Sequence, residues 1–314
     1  MLDLKRLRVL REVAARGSFS AAAEALYVSQ SAVSQQVATL EAEVGVPLLL
    51  RLRGGPVLTD AGELLLSHAE IAIARLELAE RELANLSELE SGELRLVSFP
   101  SASATLITEA ASIFTQRHPD VRLSLVEGEP EDSIPQLKRG EHDLAIVFDF
   151  DLQPLEPDRD LELRPLLTEK LHVALPADHP LAGREAIELC DLDRDPWLCG
   201  NSTTSCRDMT VRSCRSANFE PDVAFESNDY NVLKSLVAAG LGVTLLPDLA
   251  LAQTTPGLVV VPVAHQAPER RIWAATLAAG ARSRATEAML SVLTEVGAEF
   301  ARRGAPTRPI AAAA

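Results

Sequence analysis

From Glu63 to Glu90 the chain contains neither glycine nor proline. Within that run Leu65, Ala69, Ala72, Leu76, Ala79, Leu83 and Leu86 follow one another at alternating steps of four and three. This is heptad spacing, and it predicts one long helix with an apolar seam. Thr59 caps its start and Ser91-Gly92 stops it, so about 30 residues make a rod of roughly 45 Å. The rod, residues 59–90, separates a small head, 1–58, from a large body, 91–303. Alanine along the seam permits close approach of a second helix but buries little area per layer. The seam residues are therefore dimerisation candidates; a long helix packed on its own body is the other reading of the pattern.

In the head, Leu4, Leu7, Val9, Leu10 and Val13 recur at helical spacing up to Gly17. Ser18 then caps a second helix from about Phe19 to Leu26, with Phe19, Ala22, Ala23 and Leu26 inward. Its alanines let another helix cross closely. Tyr27-Val28 is a turn, Ser29 the next cap, and Val33, Val37 and Leu40 the buried stripe of a third helix. That stripe leaves Gln30, Ser31, Ser34 and Gln35 on the outer face. Two short helices and a tight turn fit a helix-turn-helix, though spacing alone leaves a plain helical hairpin open. After Gly45, the apolar runs Leu48–Leu50 and Val57-Leu58 flank Gly54-Gly55, a turn signal. Arg51 and Arg53 lie beside it, so the segment reads as a hairpin wing with a basic tip.

Charge supports this division. Overall the net charge is -15, yet the first sixty residues hold seven Lys/Arg against six Asp/Glu, leaving 23 against 39 for the remainder. A phosphate backbone would not repel the head and would repel the body. The N-terminus lacks the apolar core of a signal peptide and there is no apolar run of about 20 residues, so a cytoplasmic, non-membrane protein is expected.

FSAAAEAL, VSQSAVSQQVATLEAEVG, PLLLR and LTDAGELLL, in this order and spacing, resemble the LysR-type transcriptional regulators. The wing departs mildly, with Leu49-Leu50 where the family often has Leu-Phe before its arginine. The resemblance implies a DNA-binding regulator, not an enzyme. It makes Gln30, Ser31, Ser34 and Gln35 the base-reading face, and Ser18, Ser20, Arg51, Arg53 and Thr59 the phosphate contacts. It makes the rod a dimerisation linker, and the assembly a homodimer or a homotetramer built as a dimer of dimers.

The body alternates strand and helix, which means an α/β fold. Glu93–Ser98, Val121–Val126 and Asp143–Val147 read as strands, with helices at about 104–117 and 134–139 between them. A second lobe follows: a strand at Leu171–Leu175, a short helix at 186–192, and further strands at Trp197–Cys199, Val223–Phe225, Val243–Leu246 and Val259–Val263. The chain leaves the first lobe near Pro165 and returns near Pro268, through Arg271–Leu277 and a last helix at 284–301. Lobe 1 is thus 91–164 with 268–303, and lobe 2 is 165–267, a two-lobed, periplasmic-binding-protein-like effector domain. GELRLV and LVAAGLGVTLLP extend the LysR-type resemblance through it. Residues 304–314 read as a disordered tail.

Ligands of α/β sheets bind where strand C-termini meet helix N-termini. Ser98, Phe99, Pro100, Ser101 and Ser103 form one such place, and Asn201, Ser202 and Thr203 another. Hydroxyls and free helix amides suit a carboxylate or other anion, and Val147 and Phe148 supply an apolar wall. Each of these residues also has a plain capping role open to it. Cys206 and Cys214 resemble the paired cysteines of peroxide-sensing relatives, an alternative that needs an exposed, low-pKa thiol. The acidic residues Asp149, Asp151, Glu156, Asp158 and Asp160 read as a solvated loop. No nucleotide loop, nucleophile elbow or catalytic pair is present. The histidines are scattered, so neither a metal nor a cofactor is expected. A cytoplasmic small-molecule-binding protein without DNA function is the reading from another class.

Overall fold

The computed structural model of the chain describes residues 2–52, 54–87, 92–253, 255–265, 267–278 and 282–303, without the side chains of residues 51, 78 and 81–87. Arg53, the side chains of Arg51, Leu83 and Leu86, and the tail 304–314 therefore lie outside the described residues. The chain divides into two compact units, Met1–Leu89 with Lys138–Glu141 and Glu90–Leu137 with His142–Ala314.

In the first unit, Asp3 accepts from the Lys5 N–H at 2.8 Å and starts α1 (Leu4–Arg16), which Gly17 ends at φ 61°. Ser18 caps α2 (Phe19–Ala25) and Ser29 caps α3 (Gln30–Val44), each accepting from the N–H three residues on. Tyr27, in the turn between them, has φ 54° and is 96% exposed. Positive φ is unusual for a bulky side chain; here the Val28 N–H closes the turn on the Ala23 carbonyl at 3.0 Å. Leu10, Val13, Val33, Val37 and Leu40 are buried around Ala22 and Ala23. Small side chains on α2 allow α1 and α3 to close over it.

Glu41 on α3 reaches forward and accepts from the Leu48 and Leu49 N–H groups at 2.8 and 3.1 Å. That contact sets the start of the hairpin β1 (Leu49–Leu52) and β2 (Gly55–Leu58), antiparallel with Leu50 opposite Val57. Then comes α4 (Asp60–Ser87), 28 residues and about 42 Å long. Its first turns pack Leu65, Ala69 and Ile73 into the core of the head. Ala72, Leu76 and Ala79 are exposed. The apolar seam is thus divided, because the same stripe that could meet a second helix also closes the head.

The second unit opens with β3 (Glu93–Ser98). The helix that follows starts as α5 (Pro100–Ala102), widens into a π turn at Ser103–Ile107, and resumes as α6 (Thr108–Arg117). Thr105 and Thr108 hydroxyls donate to the carbonyls of Ser101 and Ser103 at 2.6 and 2.7 Å, competing with the regular ladder. Next are β4 (Arg122–Glu127), α7 (Pro130–Lys138) and β5 (Leu144–Phe150), with β3 parallel to both strands.

One strand, β6 (Leu161–Pro176), then runs for 16 residues. The strand expected to begin at Leu171 begins ten residues earlier and runs through Pro165. Proline has no N–H for a ladder, and here it sits opposite Trp273 where the register of the partner strand shifts. Lobe 2 adds a 3-10 turn at Leu189–Leu192, the latter part of the short helix expected at 186–192, then β7 (Pro196–Cys199), α8 (Ser205–Ser216), β8 (Asp222–Glu226), α9 (Tyr230–Ala238), β9 (Thr244–Pro247) and β10 (Leu258–Pro262). The chain returns as β11 (Glu269–Leu277), antiparallel to both β5 and β6, and ends in α10 (Arg284–Arg303). Residues 161–170 of β6 pair with β11, and residues 171–176 with β9 and β10. The change of partner falls at Lys170–Leu171, five residues beyond Pro165.

Asp149 is not part of a solvated loop. It lies on β5, 4% exposed, and accepts from Arg271 Nε and Nη2 at 2.9 and 2.7 Å, from the Trp273 indole at 3.1 Å and from the Leu155 N–H at 2.9 Å. A strand-end carboxylate facing two donors of the neighbouring strand is held by them rather than by water.

A Cβ on Gly62 would stand 2.2 Å from the Leu48 carbonyl oxygen. Gly62→Ala is expected to force the rod and wing apart and to destabilise the head by about 1–3 kcal/mol, read as a lower urea midpoint of the head's helical signal.

Candidate functional site

Among the described residues, two places gather the polar side chains that the sequence offers for binding. The first is the outer face of α3. Gln30, Ser31 and Gln35 are exposed and Ser34 is half-buried. The Ser31 hydroxyl lies 2.9 Å from that of Ser29, whose oxygen also accepts from the Ala32 N–H at 3.2 Å. The residues expected to touch phosphate are less uniform. Ser20 is exposed, and Ser18 accepts from the Ala21 N–H at 3.4 Å, which leaves its hydroxyl hydrogen to give. Thr59 accepts from the Gly62 N–H at 3.1 Å and donates to the Pro47 carbonyl at 2.8 Å. Its hydrogen is engaged, so in this arrangement it is a cap.

The second place is a cleft of about 380 Å³, counted to its open mouth, between the two lobes of the body. Lobe 1 lines it with Phe99, Pro100, Ser101 and Glu129; lobe 2 with Gly200, Thr204, Cys206, Ser227, Asn228, Tyr230 and Leu233; and β11 with Arg270. Of the residues expected from sequence, Phe99, Pro100 and Ser101 are in the lining. Ser98 and Ser103 are buried behind it, the Ser103 hydroxyl donating to the Ser98 carbonyl at 3.4 Å. Successive strand residues face opposite sides of a sheet, so Val147 and Phe148 part company. Phe148 meets Phe99 edge to face at 4.7 Å, while Val147 packs with Val97, Leu137 and Ala275 on the other side. Asn201, Ser202 and Thr203 form an exposed turn beside the lining, and the neighbouring Gly200 and Thr204 take their place.

Arg270 dominates the floor. Its side chain is 1% exposed and pairs with Glu169, itself 2% exposed. Arg270 Nε donates to Glu169 at 2.7 Å and Nη2 to the Ser101 hydroxyl at 3.0 Å. The guanidinium lies 4.9 and 5.0 Å from the ring centres of Phe99 and Phe148. The second oxygen of Glu169 accepts from the Leu249 N–H at 2.7 Å. Burial pushes the Glu169 carboxyl up, opposed by Arg270 and by that N–H. Across the mouth, Glu131 of lobe 1 accepts from the Ser205 N–H at the start of α8 at 2.8 Å. The helix amide expected to hold an anion therefore already holds a carboxylate of the protein.

Residues 4–63 match the family described as "Bacterial regulatory helix-turn-helix protein, lysR family". Residues 87–298 match "LysR substrate binding domain". The chain belongs to the LysR family. It is a DNA-binding transcriptional regulator with an effector-binding domain, and not an enzyme. It is 32% identical to "Transcriptional dual regulator GltC" of Bacillus subtilis over 86% of this chain and 89% of that protein. It is 29% identical to "DNA-binding transcriptional dual regulator OxyR" of Escherichia coli, over 86% and 88% of the two chains. Among solved structures, "Full-length OxyR C199D from pseudomonas aeruginosa" superposes with a TM-score of 0.67 at 26% identity, over 94% of this chain and 98% of that one.

The LysR-family body here does not carry a poised thiol pair. Cys206 is half-buried in the cleft wall with the Tyr230 hydroxyl 3.6 Å from its sulfur. Desolvation and then Glu129 push the Cys206 thiol up to about 12. Burial pushes Cys214 up to about 12 and Cys199 to about 11. Cys206 and Cys214 both lie within α8, about 12 Å apart along its axis, too far for a disulfide while the helix is intact. Cys190 is exposed. Among the described residues, no His/Cys/Asp/Glu group could hold a metal ion, and no helix is long and apolar enough to cross a membrane. A native-state thiol titration is expected to label Cys190 at once, Cys206 slowly through the mouth of the cleft, and Cys199 and Cys214 only on unfolding.

Proposed function

We propose that this LysR-family regulator reads an operator with α3 and answers to a small molecule held between the lobes of its body. The observation that carries the reading is the arrangement of the cleft. Residues of both lobes line it, and Arg270, on a strand that crosses between them, forms its floor. A ligand there touches both lobes and the hinge at once, so it can favour one lobe arrangement over another by its differential contacts.

DNA recognition assigns the major groove to the N-terminal half of α3. Gln30, Ser31, Ser34 and Gln35 offer donors and acceptors to base edges, and Ser18, Ser20 and the basic wing hold the backbone. Four short side chains supply little direct readout, so DNA shape carries part of the specificity. Two heads are brought together through α4, with Ala72, Leu76 and Ala79 as the exposed part of the seam. Two such dimers assemble into a tetramer on the operator. The site of action is the cytoplasm, where operator DNA lies.

The direct test is a gel shift with the DNA upstream of the chain's own gene. Gln35→Ala is expected to cost about 1–3 kcal/mol at one base position and to flatten the ranking of operator variants there. Retention of the wild-type ranking would remove Gln35 from the readout. Leu76→Asp is expected to shift the sedimenting species toward monomer and to weaken binding to a two-half-site operator far more than to a single half-site.

A further inference from the structure

The cleft has an electrostatic imbalance that the family assignment does not explain. Its one guanidinium, Arg270, is paired with Glu169 and with the Ser101 hydroxyl. The amide at the start of α8 is taken by Glu131. The Arg270 guanidinium and the Ser205 N–H are thus each matched from within the protein. Glu129 is different. It follows β4, its carbonyl accepts from the Asp132 and Ser133 N–H groups at the start of α7, and its side chain lines the cleft. Among the described residues its carboxylate makes no hydrogen bond and no ion pair.

The groups facing that carboxylate sharpen the point. From its own segment come Glu127, Glu131 and Asp132, all of one sign; β11 offers Arg270, already matched. From lobe 2 come Cys206 on α8 and Tyr230 on α9, both kept neutral by burial. Desolvation, and then Glu131, push the Glu129 carboxyl up to about 7. An anionic ligand would add a like charge to this site. A cationic one would supply the missing counter-charge.

We propose that the effector is a small amphipathic amine, its ammonium on Glu129 and its apolar part against Phe99, Pro100 and Leu233. The assignment rests on the cleft being the effector site. The Tyr230 hydroxyl oxygen is a second acceptor for the ammonium. A bound ammonium favours the ionised carboxylate, so binding releases a proton from Glu129 when the pH lies below about 7. Affinity is therefore full above that pH and falls about tenfold per unit below it.

The test uses the full chain and matched probes: straight-chain and phenyl-ended amines of two to six carbons, with the alcohols and carboxylates of the same lengths. Thermal shift finds binders and calorimetry measures them at pH 6 and pH 8. Amines are expected to bind, carboxylates not, and Glu129→Gln to weaken the amines by about 10–100-fold and abolish the pH dependence. The Glu129 carboxylate holds no hydrogen bond or ion pair among the described residues, and glutamine keeps its shape, so this variant should fold; Glu127→Gln, exposed on the same segment, should retain wild-type affinity. Preference for carboxylates, absence of any amine binding, or full amine affinity in Glu129→Gln would overturn the proposal and leave the cleft as the effector site. Binding that persists unchanged in Leu233→Trp, which fills the cleft, would instead overturn the location.

Discussion

The ion pair between Arg270 and Glu169 is the constraint on which the body depends. Both side chains are out of water, and removing either one strands a charge in the interior at a cost of about 3–5 kcal/mol. The two residues belong to β11 and β6, the strands that pass from one lobe to the other. Ser101 is tied to the pair from lobe 1 and the Leu249 N–H from lobe 2. A change in lobe arrangement must either carry these four groups together or break hydrogen bonds that have no water to replace them. The hinge is thereby restricted to motions that keep the floor of the cleft intact.

The head solves a different problem. About sixty residues cannot bury much area, so the start of each helix is closed locally: Asp3, Ser18, Ser29 and Thr59 cap in turn. Glu41 and Gly62 then lock the wing between α3 and α4. Because Leu65 and Ala69 belong to this core, the rod is an element of the head before it is anything else. Movement of the rod is movement of α3, which shares its core.

Much of this was legible in the residues. Serine caps before alanine-rich and valine-striped segments announced the head, and the absence of Gly and Pro after Gly62 announced the rod. Alternation of strand and helix announced the lobes. What escaped was partnership across distance. Arg270 and Glu169 are 101 residues apart, and neither has a local pattern that names the other. Asp149 looked like one more member of an acidic run until Arg271 and Trp273 were seen on the adjacent strand. Val147 and Phe148 are equally apolar, and only the pleat, set by neighbouring strands, decides which one faces the cleft side. Beside the anion-friendly residues 200–204, the Ser205 N–H is held by Glu131 of the opposite lobe, 74 residues upstream.

Strand β6 belongs to two sheets at once. Its first ten residues complete one ladder and its last six begin another, with no loop between. Two lobes joined by flexible linkers can unfold, be exchanged or be duplicated separately. Lobes that share a continuous strand cannot, since fraying one removes the edge on which the other is built. The body is divided for binding but undivided for folding, and a change inherited by one lobe has to be compatible with the register of the other.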